Sequence, residues 1–502
     1  MSIGYKSQSA RAKQTRERYK EIQKKMDEDN SNDDETPVFF DNSTFISDEV
    51  IQCLENALLA LRDENIDSRE QAIKQIAQII HDYPSLIQNI PITDEIIVII
   101  SYSLKAPSPE TLECSIFLLL SLIKFCQPNY KIFIEQKAHV VVTDAVKQRI
   151  PFPLAHQLLE IMIYLSSSND GSHIETLFRS GFVTTVLDLL SYFNVQTPIC
   201  RGTPPLQQLP YIPTGIDSED SVLLQPLLLI ARNLLRIKTS FLSVEELIGH
   251  VIGISITIPD IEMLNLALSS VFIASEEYFD CFWKICKSLG FISSLIIFTT
   301  LSPPVQIKSL KILQNIFFHQ QELNFVKRYT DLCQRIRDLL TNDNEKLIIY
   351  GLNVLNNICE IQDSDFLTWI IETEGLIEII AHLMENGSYA CKVTSCGFFY
   401  NLIYAGNFEL CCNVIERVDL IGIAIPLFSS DDYNLISVNI NLFDLIISRC
   451  QNDENLITDI CQRMVSNGIL EETEQHMEDT IQIYTEILAL RNKIVSFLPP
   501  EE

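Results

Sequence analysis

A repeat of about 40 to 50 residues governs what this chain can fold into. Residues 347–406 show it most plainly. Two apolar helical segments there end in Asn plus a branched apolar residue, Asn357-Ile358 and Asn401-Leu402, 44 residues apart. Between them lie a shorter helical run and a break, Glu374-Gly375-Leu376-Ile377, followed by a new amphipathic helix. One such unit cannot bury its apolar face alone, so units at this period stack side by side into a helical solenoid. Projecting the register gives equivalents at Gln78, Ser121, Tyr164, Asn233, Ser270, Asn315, Asn357, Asn401 and Leu445, with intervals of 43, 43, 69, 37, 45, 42, 44 and 44. The long interval has a visible cause. Residues 195–220 hold five prolines and two glycines, a composition that breaks helices and makes a loop. Gly181, Gly290, Gly375 and Gly468, each followed by an apolar pair, form a second series of breaks.

At 502 residues the chain is too long for one compact core, yet no composition shift divides it beyond residue 40, as a solenoid predicts. An apolar fraction of 47% supplies a continuous buried seam, and only 15 glycines argue against a Gly-rich α/β enzyme. No apolar run reaches 18 residues, and the longest, 96–103 and 116–123, have the length of core helices. The basic N-terminus lacks the apolar stretch of a signal peptide. A soluble, unsecreted protein without membrane insertion is expected. None of the fourteen cysteines forms a Cys-x-x-Cys pair; Cys281/Cys286 and Cys391/Cys396 are five apart and Cys411-Cys412 are adjacent. They read as small buried hydrophobes of a reducing compartment, cytosol or nucleus, and not as metal ligands.

The first 36 residues differ from the rest. Residues 1–26 carry Lys6, Arg11, Lys13, Arg16, Arg18, Lys20, Lys24 and Lys25 against Glu17 and Glu21, a net of +6, and residues 27–35 then carry six acids. The whole chain carries −29, so residues 27–502 carry −35. A basic arm on an acidic body suits self-association or capture by another acidic surface. Tyr19, Ile22 and Met26 are spaced to form one face of a helix on binding, while a solvated tail or a nucleic-acid contact fits the composition equally.

From Ser47 onward helices follow one another. Ser47-Asp48-Glu49 reads as a cap and acidic first turn, and Ser68 precedes a helix whose buried face holds Ala72, Ile76, Ile79 and Ile80. About nine units follow, closed by a polar-rich helix pair suited to capping an exposed seam. The domain reading is an arm at 1–36 and a solenoid at 37–502, with a Pro-rich insertion at 195–220 and a cap at 468–502.

Nothing supports catalysis. There is no phosphate loop, no nucleophile elbow, no His-Glu-x-x-His helix and no pair of histidines within four residues, so no cofactor or metal is expected. The product of a solenoid is instead a long groove lined by the third helix of each unit, fit to hold an extended partner. In 351–359 the inward residues are Leu352, Leu355 and Ile358, which leaves Asn353 and Asn357 on another face. Asn is a mediocre helix former, so its mid-helix recurrence at Asn233, Asn315, Asn357 and Asn401 has a cost. Its amide donates and accepts, and so can clamp both backbone groups of an extended peptide. The competing readings are an exposed polar position and a buried amide bonded to a neighbouring repeat.

Through the unit KVTSCGFFYNLIYAGNFELCCNVIERVDLIGIAIPLFSSDDYNLISVNINLFDLI, the closing NGILEETEQHMEDTIQIYTEIL and the arm segment RERYKEIQKKMDED, the chain bears a resemblance to the importin-α family of armadillo-repeat nuclear import adaptors. The resemblance implies an all-α, armadillo-repeat, right-handed superhelical solenoid of about nine units with a flexible basic arm. It also implies that cargo peptides bearing basic or extended motifs lie along Asn233, Asn315, Asn357 and Asn401 with Asn353. An importin-β-like carrier would bind the arm through Arg11, Lys13, Arg16, Arg18, Lys20, Lys24 and Lys25, in cytoplasm and nucleus, with no direct nucleic-acid role. The alternative is an armadillo-repeat scaffold outside transport. The sequence departs from the family in one respect. Residues four before the anchors are Glu160, Leu229, Leu266, Lys311, Asn353 and Gly397, where the family places slot-forming tryptophans. The only tryptophans, Trp283 and Trp369, fall on the second helix of their units, packed in or on the convex side. The arm also lacks the family's Arg-rich run.

Overall fold

The computed structural model describes residues 46–91, 93–105, 108–125, 130–148, 152–194, 218–319, 331–430, 432–476 and 481–498. The chain divides into two compact units, Phe45–Leu383 and Met384–Glu502. The arm at 1–36, with all seven of its expected contact residues, lies outside the described residues. So do residues 195–217 of the Pro-rich insertion, whose last three residues, 218–220, already belong to a helix.

Among the described residues the fold is all-α, as the repeat predicts. The first unit runs α1 (Asp48–Ala60), α2 (Ile66–Asp82), a 3-10 turn (Pro84–Asn89), α3 (Asp94–Ser103), α4 (Pro109–Phe125), α5 (Lys131–Glu135), α6 (Ala138–Val146) and α7 (Phe152–Ser166). It continues with α8 (Gly171–Arg179), α9 (Phe182–Asn194), α10 (Ser218–Leu235), α11 (Ser243–Thr257), α12 (Ile261–Glu277), α13 (Phe279–Leu289) and α14 (Phe291–Phe298). It ends with α15 (Pro303–His319), α16 (Asp331–Leu340), α17 (Glu345–Glu360), α18 (Ser364–Glu372) and the start of α19 (Leu376–Asn386). The second unit holds α20 (Tyr389–Ala405), α21 (Phe408–Arg417), α22 (Leu420–Ala424) with a 3-10 extension (Ile425–Ser429), α23 (Tyr433–Cys450), α24 (Glu454–Ser466), α25 (Ile469–Glu474) and α26 (Ile481–Val495).

Every anchor of the repeat falls on one of the long helices. In the first unit α2, α4, α7, α10, α12, α15 and α17 pack each against the one before; in the second, α20, α23 and α26 do the same. Side chains tie neighbouring repeats at nearly constant separation in sequence. Thr111 Oγ1 donates to Glu70 (2.9 Å, 41 residues back), and Arg463 pairs with Asp419 (3.1 Å, 44 residues back). Lys493 Nζ meets Ser448 Oγ (2.7 Å, 45 residues back), which docks the closing helix α26 on α23. The short interval of 37 between Asn233 and Ser270 has its own reason. Only α11 stands between α10 and α12, and residues 236–242 replace the short helix. Tyr278 holds that segment, its hydroxyl accepting from Thr239 N (3.0 Å) and donating to Ile237 O (2.7 Å).

Local signals settle the helix ends. Ser68 lies inside α2 and not before it; Asn65 caps the helix, its side chain accepting from Asp67 N at 2.9 Å, and Ser47 precedes α1 without a side-chain bond. Gly181, Gly290, Gly375 and Gly468 all adopt the left-handed conformation, with φ of 81°, 65°, 74° and 88°. Each lies where a short helix turns into the next, and at Gly290 the two helices meet at 90°. Lys137 (φ 59°) and Asp419 (φ 46°) occupy the same place in their repeats, where a side chain is strained. An added Cβ at Gly290 would meet nothing within 4 Å, so only the backbone opposes a substitution. Gly290→Ala should therefore destabilise by about 1 kcal/mol and Lys137→Gly should stabilise by several tenths. Urea midpoints of the two variants would check the opposite signs; equal signs would refute the strain argument.

Candidate peptide-binding face of the long helices

On α15 the 3.6-residue period aligns Lys308, Lys311 and Asn315; on α12 it aligns Asn265, Ser269 and Phe272; on α17 it aligns Tyr350, Asn353 and Asn357. Packing brings these rows together. Asn357 Nδ2 donates to Gln314 O on α15 at 2.9 Å, and Asn315 Nδ2 to Ser275 Oγ on α12 at 2.9 Å. Asn233 Nδ2 reaches back to α7, 3.3 Å from both Ile163 O and Ser166 Oγ. The three amides thus share one geometry, each tethering its helix to the preceding long helix. The half-buried Asn315 and Asn357 each retain a second N–H and the Oδ1 without a partner among the described residues. Asn353, half-buried, keeps its whole amide free among the described residues, while Asn233 is only 5% exposed. Asn401 lies on α20 in the second unit, half-buried. Leu352, Leu355 and Ile358 are fully buried beneath Asn353 and Asn357.

Cations stand close together on this face, in a chain whose net charge is −29. Lys308 Nζ lies 2.8 Å from Asn265 O and 2.6 Å from Ser269 Oγ. Burial, with Arg232 and Lys311 adding repulsion, pushes Lys308 down to about 8, and no carboxylate contributes in the other direction. Burial and the neighbouring Arg236 likewise lower Arg232. Arg232 is half-buried, its Nε enclosed and without a hydrogen-bond partner among the described residues. Lys311 sits between two rings, 5.4 Å from the centre of Phe272 and 5.0 Å from that of Tyr350. A cation held this way gains on the order of 0.5–2 kcal/mol from the ring faces. It stands four residues before Asn315, one of the positions that hold no tryptophan.

Trp283 lies on α13, 7% exposed with Lys287 over its ring at 5.4 Å, and Trp369 lies half-buried on α18; both are on the helix following a long one. Among the described residues no cluster of three or more His, Cys, Asp or Glu has the arrangement of a metal site, and no single helix is long and apolar enough to cross a membrane.

No family model and no curated protein matches the chain. Solved structures do. An engineered protein from the Northeast Structural Genomics Consortium is similar over 88% of this chain and 98% of its own, with a TM-score of 0.66 at 15% identity. A designed armadillo repeat protein in complex with the peptide (KR)4 covers 49% of this chain at a TM-score of 0.43 and 16% identity, with 99% of its own length matched. The fold is an all-α solenoid of stacked helices. That likeness concerns fold alone. The asparagine series was readable as a period, but the direction of each amide was not, because a helix exposes several faces at the same spacing. The cationic row was hidden further. Arg232 and Lys308 are 76 residues apart, and only stacking makes them neighbours.

Asn357→Ala removes a tether between α15 and α17 and should cost about 1 kcal/mol. Thermal melting would check this, and an unchanged midpoint would mean that the bond contributes nothing.

Proposed function

We propose that this chain is a protein-interaction scaffold, without catalytic activity of its own, that holds an extended peptide across its long helices. The observation that carries the reading is the set of amide edges at Asn315, Asn353 and Asn357, which share one face and retain donors and acceptors. Peptide backbone offers the complementary pair of groups at every residue. A degenerate octapeptide library captured on immobilised protein tests it. Replacing the three asparagines together by Ala should reduce capture at least tenfold, whereas undiminished capture would refute the assignment of the face.

A second reading, an importin-α-like adaptor for nuclear protein import, is favoured by the basic-then-acidic arm and the layout of the repeats. In it Arg11, Lys13, Arg16, Arg18, Lys20, Lys24 and Lys25 bind an importin-β-like carrier, and the protein moves between cytoplasm and nucleus. Anisotropy of a labelled 1–36 peptide titrated with importin-β at physiological salt, against a charge-reversed arm, decides between the two. Saturable binding above the control supports the adaptor; none leaves the scaffold. A basic cargo on the first unit would have to meet the cations of α10 and α15, which argues against that part of the adaptor reading.

A further inference from the structure

We infer that the face formed by α10, α12 and α15 binds an acidic peptide segment of a partner protein, whose carboxylates meet Arg232 and Lys308. The inference rests on the peptide-binding reading above and adds the chemistry of the guest. Three observations support it. First, Arg232 and Lys308 are near neighbours with no carboxylate partner among the described residues, in a chain of net charge −29 whose other cations often have one. A chain so rich in acids could place one there; two like charges left together are instead relieved by a ligand of opposite sign. Second, the cations are positioned before any guest arrives. Lys308 is bonded to Asn265 O and Ser269 Oγ, and Lys311 is held between Phe272 and Tyr350, so little side-chain freedom remains to be lost on binding. Third, the aromatic cleft between Phe272 and Tyr350 is already filled by the protein's own cation, so a guest's Lys or Arg finds both the seat taken and its charge repelled.

A nucleic acid is the poorer fit. It needs a broad basic surface that neutralises many phosphates, whereas this row offers a few cations within a strongly acidic molecule.

The test is fluorescence anisotropy on the full chain with three labelled probes: a decapeptide alternating Glu with Gly and Ser, the peptide (KR)4, and a single-stranded decanucleotide. The acidic decapeptide should bind saturably and weaken as salt rises. Arg232→Gln with Lys308→Met should lose at least tenfold in affinity. Arg232→Lys should retain most of it, and Lys284→Gln, on α13 and paired with Glu245, should change nothing. Circular dichroism melts establish that each variant is folded. If the double variant binds the acidic probe as well as the parent does, the inference is wrong. Tighter binding of the oligonucleotide would also overturn it. Should (KR)4 bind instead, and lose affinity when Asn315 and Asn357 become Ala, the peptide face stands and its acidic preference falls. Binding of neither peptide removes both.

Discussion

Phe317→Ala should lower stability by about 3–5 kcal/mol, the range for emptying a buried Phe site. Phe317 is 2% exposed on α15, and its ring meets Phe366 of α18 edge-on, with centroids 6.3 Å apart and planes at 88°. It therefore joins one repeat to the next. Solenoid stability is close to a sum of unit terms and nearest-neighbour interface terms, so the loss falls on one interface. Denaturation of the variant should accordingly broaden or split, as the helices before and after this joint unfold at different urea concentrations. The adjacent Phe318 is half-buried, and its replacement by Ala should cost clearly less. Equal costs for the two would mean that the joint is not where the packing puts it.

Lys308→Met should make the protein more stable at neutral pH and remove a pH dependence. Lys308 falls from 10.5 to about 8 in the folded chain, chiefly by burial and then by the charges of Arg232 and Lys311. The charged groups bearing on it are Arg232 from α10 and Lys311 from its own helix, while α12 faces it with the uncharged Asn265 and Ser269. Between pH 8 and 10.5 the unfolded chain keeps the proton and the folded chain releases it. Stability therefore rises with pH across that window. Below pH 8 both states hold the proton, and the folded state carries the full penalty of a buried charge. The full rise across this window amounts to about 3 kcal/mol at 1.36 kcal/mol per pH unit. Other groups titrate in the same range, so the measurement is the difference in urea midpoint between parent and Lys308→Met at pH 7 and pH 10. That difference should be large at pH 7 and several-fold smaller at pH 10. The opposite trend would show that Lys308 gains a stabilising partner when charged.

How legible all this was depends on the kind of information each feature carries. The period is written in apolar spacing, so all nine anchors fall on long helices even where the anchor is Gln78, Ser121 or Leu445 and carries no asparagine. Gly181, Gly290, Gly375 and Gly468 were legible as breaks because a left-handed residue needs glycine, but Lys137 and Asp419 adopt the same conformation without announcing it. The helix expected to follow Ser68 begins at Ile66 with Asn65 as its cap, a shift of less than one turn that propensity alone does not resolve. The asparagines were visible, and their tethering to the preceding helix was one of the readings they allowed. The cationic row had no sequence signal beyond Lys311 at a position expected to be aromatic. A net charge of −29 describes the whole surface and says nothing about a patch assembled from helices some 40 residues apart.

The near-constant reach of the tethers has a consequence for how the chain comes into being. Asn315 finds Ser275 at 40 residues' distance, Asn357 finds Gln314 at 43, and Tyr389 is bonded to Asp432 at 43. No step among these requires segments from opposite ends of the polypeptide to meet, so the closure entropy is nearly the same at each and never large. Within each unit, a long helix leaving the ribosome should therefore find the preceding long helix already made. A nascent chain stalled once α17 has emerged should already protect the amides of α12 and α15 from exchange, while everything downstream is still unwritten.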